Sequence, residues 1–215
     1  MLGQHFHLVA VNRPGFGLSD GVPLQPDLGT QARYVAPLLT YGSHSSPAIV
    51  AGHSLGGTIA YQLAVDYPDH VGAILPIAAN IDPKEGQPRW FNRLASLPII
   101  RWLVPGDLAK ANVEIMPLSG ELKALLPQLS NIKMPVTVIH GGNDKLVSVK
   151  NLVFVQQHLQ GADLHIIEQP DAGHFILWEQ PDIVVSAAIQ LLDRVTTSTG
   201  LLEPQAPKDS EIMAP

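Results

Sequence analysis

Gly52-His53-Ser54-Leu55-Gly56 sets a potential nucleophile between two small neighbours. The motif follows the short apolar run 47–51 and precedes Leu55, Ile59, Ala60, Leu63 and Ala64, which recur at helical spacing until Pro68. Between a strand and a helix, flanking glycines allow close approach of the two elements. The serine backbone is then strained and its Oγ exposed. The N–H of Leu55 would lie at a helix N-terminus, aimed where a negatively charged oxygen could form. A phosphate-binding turn of the Gly-Lys-Ser/Thr kind would need a lysine that is absent here. A serine hydroxyl is a weak nucleophile until a histidine, itself oriented by a carboxylate, takes its proton. Asp144, in Gly141-Gly142-Asn143-Asp144, follows the apolar run Val136–His140, and His174, in Asp171-Ala172-Gly173-His174-Phe175, follows the run Leu164–Ile167. Taken singly, an Asp after a strand is also a turn former, and a Gly-His pair is also a surface loop. The order Ser, Asp, His at successive strand ends sets these three apart.

The elements that must position them alternate regularly. Phe6–Val11, residues 47–51, Val71–Ala78, Val136–His140 and Leu164–Ile167 read as strands. Between them run helical patterns: one from Thr30, read as its cap, to about Gly42, one from Leu55 and one from Ser148 to Gly161. A last one opens at Pro181 with the stripe Ile183, Val184, Ala187, Ala188, Leu191 and Leu192. Strands apolar throughout and separated by helices predict an α/β fold, with a parallel sheet covered on both faces. Residues 82–135 lack a strand pattern and hold short helical pieces between prolines, which reads as a helical lid. Core segments 1–81 and 136–195 flank that insertion, and 196–215 reads as a disordered tail.

Composition narrows the function further. Thirteen Lys and Arg against nineteen Asp and Glu give a formal charge of −6, which with no basic cluster excludes a nucleic-acid module. Only 15% of residues are charged and 46% are hydrophobic, so the 215-residue chain can bury a sizeable core. The absence of cysteine excludes disulfides, thiolate metal sites and a cysteine nucleophile. No apolar run is long enough for a membrane span, and the first residues do not resemble a signal peptide, which predicts a soluble, cytoplasmic protein. His5 and His7 share a strand face without a third ligand, so no metal site is expected. A dinucleotide-binding protein would need G-x-G-x-x-G after the first strand, which is missing.

Four segments, in order, carry a family resemblance: Asn12-Arg13-Pro14-Gly15-Phe16-Gly17-Leu18-Ser19-Asp20, Gly52-His53-Ser54-Leu55-Gly56-Gly57, His140-Gly141-Gly142-Asn143-Asp144, and Gly173-His174-Phe175-Ile176-Leu177-Trp178-Glu179-Gln180-Pro181. From about residue 6 to 195 the chain resembles the α/β-hydrolase fold family, with the lid inserted between that family's sixth and seventh strands. The resemblance implies a serine hydrolase without a cofactor, acting on a small-molecule ester or related acyl substrate. Ser54 would attack the carbonyl, His174 shuttle the proton, Asp144 orient the imidazole and the Leu55 N–H bind the oxyanion. His53, Trp90, Phe91 and Trp102 are candidate pocket residues, and Asp82 is an alternative acid whose other reading is a turn before Pro83. Relatives that open epoxides or remove halogens place Asp at the position of Ser54.

The chain departs from the family pattern at Asn12, where Asp is usual, and at Ser148, where Pro is frequent. Phe6–Val11 resembles the fourth strand of the family. The third strand and its His-Gly oxyanion loop therefore have no counterpart in this sequence, and the expectation is a late start or a fragment. That gap motivates the alternative of a non-catalytic member that binds a ligand without turnover.

Overall fold

The computed structural model describes residues 2–41, 48–101 and 103–198. Candidate pocket residue Trp102 and residues 199–215 of the expected tail lie outside them. Four parallel strands, β1 (Ala48–His53), β2 (Val71–Ile77), β3 (Val136–Gly141) and β4 (Leu164–Gln169), form a sheet in the order β1-β2-β3-β4. Parallel strands need long crossovers. These are supplied by α2 (Leu55–Asp66) between β1 and β2 and by α7 (Lys150–His158) between β3 and β4, and after the short α8 (Ile176–Glu179) the helix α9 (Pro181–Ser198) closes the described chain. Helix α9 continues three residues past the expected start of the tail.

Alternation along the strands divides the core between two faces. Ile74, Val136 and Val138 pack with Ile59, Leu63, Leu152 and Val155 of α2 and α7. Ala73, Leu75, Ile77 and Ile139 pack on the opposite face against Val184, Ala187, Leu191 and Val195 of α9. Each fully buried aliphatic side chain here contributes roughly 1.5–3 kcal/mol. The two-sided apolar strands are thus explained by helices on both faces, as an α/β fold requires.

Residues 82–135 hold α3 (Trp90–Ala95), α4 (Pro98–Arg101), α5 (Gly106–Ile115), α6 (Leu118–Leu125) and a 3-10 turn, Leu126–Asn131. Leu118, Leu122, Leu125, Leu129 and Ile132 belong to the main core, whereas among the described side chains α3 to α5 contribute no buried apolar residue to it. Among the described residues no helix is long and apolar enough to cross a membrane.

Two local expectations are corrected. Phe6–Val11 is not a strand, and Leu8, Val9 and Val11 are exposed. A strand needs a neighbour for its N–H and C=O groups. Among the described residues β1 is an edge strand, and a cleft lined by both segments separates it from 6–11. Helix α1 (Leu28–Val35) is capped by Asp27, whose carboxylate accepts the Thr30 N–H at 2.6 Å, not by Thr30.

Candidate active site

The chain turns from β1 into α2 through Ser54, which has φ +54° and ψ −121°. A side chain in that region costs of order 1–3 kcal/mol, so the surroundings must enforce it. They do so by leaving no room. A Cβ at Gly52 would collide with the backbone of Gly56 and lie 2.6 Å from the Gly57 nitrogen, and one at Gly57 would lie 2.6 Å from Ala79 Cβ. The second glycine the crossing requires is therefore Gly57, since a side chain at Gly56 meets open space. The Ser54 N–H donates to the Ile77 carbonyl at 2.8 Å, pinning the turn to β2. The N–H of Leu55, first residue of α2, has no acceptor within its own helix, and Leu55 and Ser54 both line the cleft.

On the same edge of the sheet, the loops after β3 and β4 bring Asp144 and His174 together. His174 Nδ1 donates to Asp144 Oδ2 at 2.7 Å, in a pair with little access to water. Asp144 Oδ1 accepts the N–H groups of Leu146 and Val147, each at 2.8 Å. Burial pushes this carboxyl up, but the His174 bond and the two backbone donors outweigh it, so its pKa stays below the ordinary value. The loops cross so closely that a Cβ on Gly141 would strike the backbone of Ala172 and Gly173. Buried His140 stands beside the acid, 3.7 Å from Oδ2, and its Nε2 is 3.2 Å from the Val147 carbonyl. Burial lowers the pKa of His140 against the pull of that carbonyl and of Asp144.

With Nδ1 donating to Asp144, a neutral His174 leaves Nε2 as a base. His174 and Ser54 line one cleft of about 1120 Å³, with no hydrogen bond between them among the described residues. Such bonds are often long before a substrate is bound. His53, the last residue of β1, also lines the cleft and bonds the His174 backbone.

Of the other candidates, Phe91 lines the cleft, but Trp90 does not and is 75% exposed. Adjacent residues on a helix point about 100° apart, and α3 is rotated so that Phe91, not Trp90, faces the cleft. Asp82 sits in a turn, accepting the Lys84 N–H at 2.8 Å and donating its own N–H to Asn151. His5 and His7 make ring contacts with Phe6 and Tyr41. Among the described residues no three His, Cys, Asp or Glu side chains cluster closely enough to hold a metal ion.

Two connections escaped the sequence. Arg13 Nη1 bonds Glu114 at 2.6 Å and Gln31 at 2.7 Å, joining the turn after 6–11 to α5. Burial raises the pKa of Glu114 and Arg13 opposes that shift. Arg89, just before α3, donates to the carbonyls of Lys145 at 2.6 Å and Leu146 at 3.1 Å. Neither the Arg13–Glu114 bond nor the Arg89 bonds have a sequence signal, because their partners lie more than fifty residues apart.

A parallel sheet flanked by helices, with Ser54 at a strained strand-to-helix turn and the Asp144–His174 pair at the same edge, has the layout of an α/β hydrolase. Residues 1–187 match the Alpha/beta hydrolase family, and the chain belongs to it. It is similar to 2-(acetamidomethylene)succinate hydrolase of Mesorhizobium japonicum, 24% identical over 89% of this chain and 80% of that one. It is also similar to 3-oxoadipate enol-lactonase 2 of Acinetobacter baylyi, 28% identical over 68% of this chain and 64% of the relative. Among solved structures, a hydrolase from Pseudomonas aeruginosa superposes with a TM-score of 0.62 at 21% identity, covering 89% of this chain and 81% of the other.

Proposed function

We propose that the protein is a serine hydrolase that cleaves a carboxylic ester or related acyl compound through an acyl-enzyme on Ser54. The observation that carries this reading is the strained Ser54 elbow on the same cleft as the 2.7 Å His174–Asp144 pair. Ser54 Oγ attacks the carbonyl carbon as its proton passes to His174 Nε2. The oxyanion accepts a hydrogen bond from the Leu55 N–H, and the imidazolium is stabilised by Asp144. Collapse expels the leaving group, which takes the proton from His174. Water, deprotonated by His174, then attacks the acyl-enzyme, and the acid leaves as Ser54 regains its proton. The relatives' names support acyl chemistry on small molecules, one of them an enol lactone.

Covalent labelling with a fluorophosphonate, read by intact mass, tests the reading. The parent gains one adduct, and Ser54→Ala and His174→Ala gain none. Steady hydrolysis of a short-chain nitrophenyl ester, abolished by Ser54→Ala, separates turnover from the alternative of a family member that only binds its ligand. A folded parent that takes no label and hydrolyses no ester overturns the catalytic reading.

A further inference from the structure

His53 adjoins Ser54 in the chain, yet its side chain engages the histidine loop. Its Nε2 lies 2.7 Å from the main-chain carbonyl oxygen of His174. A carbonyl oxygen only accepts, so Nε2 carries the proton. The His53 ring also lies 4.7 Å from the His174 ring and stands edge-on to Trp178 at 4.9 Å, with Phe175 stacked further out at 6.5 Å. The titratable groups that face it are His174 and Asp144. Burial and the neighbouring His174 lower its pKa, and the carbonyl bond and Asp144 oppose them. With its proton on Nε2, the His53 imidazole is a donor to the histidine loop.

The His174 side chain is fixed at one ring nitrogen by Asp144. That bond leaves the ring free to swing about Asp144 unless the main chain behind it is also held. The geometry points to His53 as a positioning residue: its Nε2–H holds the carbonyl of His174, so that the ring anchored on Asp144 keeps its free nitrogen over the cleft that contains Ser54. This inference rests on the proposed hydrolase reading. The strand that delivers the nucleophile thereby also delivers the strut for its base. The acid loop is held in the same manner, with His140 at the end of β3 bonding the carbonyl of Val147 at 3.2 Å.

Two substitutions separate the donor from the ring. His53→Phe keeps an aromatic ring and removes the donor, while His53→Gln keeps an N–H that can reach the carbonyl. Each is compared with the parent for ester kcat and KM and for the downfield proton resonance of the His174 Nδ1–H bonded to Asp144. His53→Phe is expected to lower kcat about tenfold with KM unchanged and to broaden that resonance, as the loss of one buried hydrogen bond implies. His53→Gln is expected to restore most of both, and His53→Ala replaces the Phe variant if that ring is not accommodated. A donor-free variant with parental kcat and a parental resonance overturns the inference. So does a loss confined to KM, which would make His53 a pocket wall, or a Gln variant as impaired as Phe. If the parent shows no Ser54-dependent chemistry, the hydrolase reading falls while the resonance still decides whether His53 holds His174.

Discussion

At the turn from β1 into α2, positions 52 and 57 accept no side chain and Ser54 is held at positive φ. Across the same cleft, α3 to α5 and their connections leave Trp90, Leu97, Ile99, Leu103 and Leu108 exposed, Ile99 by 81%. One region is fixed by backbone pressing on backbone, so it can store strain. The other is tied to the acid loop by Arg89 and to Arg13 by Glu114, with its described apolar side chains largely outside the buried core. The boundary between the two regimes falls inside the inserted segment, because α6 is buried in the main core. Close backbone packing thus borders the cleft on one side and exposed apolar side chains lie on the other.

The comparison can be broken most sharply at the rigid edge. If Asp144 holds the imidazole's tautomer and charge as proposed, Asp144→Asn should lower ester turnover by about 10⁴-fold while the chain still folds. Circular dichroism beside steady-state kinetics checks both halves. Leu122→Ala, in the buried part of the insertion, should cost about 2–5 kcal/mol in denaturant unfolding. Gly57→Ala should cost about 1–3 kcal/mol through overpacking against Ala79, and should slow fluorophosphonate labelling by shifting Ser54.

Acid sharpens the contrast more gently. His53 and His140 have folded pKa values below their ordinary value near 6.5, so below that pH the unfolded chain binds protons that the native chain does not. Stability should fall as the pH drops through about 6.5, by no more than about 1.4 kcal/mol per pH unit for each group. Asp144 is also depressed. Its contribution is present above the ordinary carboxyl range and is lost at lower pH, as the folded group protonates. Denaturant melts from pH 8 to 4 would show whether stability stays flat instead. Smallest of all, Trp90→Ala should change unfolding free energy by no more than about 0.5 kcal/mol. A large loss there would show that the exposed helices are packed after all.

Four of the five expected strands were legible, because runs such as Val136–His140 are apolar on both faces and stop at turn residues. Phe6–Val11 has the same composition and fails, since a strand is a property of a pair and composition does not name the partner. The positions of Ser54, Asp144 and His174 at one edge follow from chain order on a parallel sheet, and the Asp144–His174 contact is what that order makes geometrically available. Which glycine is indispensable was not legible, because Gly56 and Gly57 differ only in the direction each would send a Cβ. The Arg13–Glu114 pair, 101 residues apart, obeys no local period and emerges only from the fold.

Arg89 donates to the carbonyl of Leu146, and the N–H of Leu146 donates to Asp144. The start of α3 and the carboxylate are therefore successive links of one short chain. Removing the Arg89 guanidinium would therefore free two carbonyls, those of Lys145 and Leu146, in the same loop whose N–H groups hold the carboxylate.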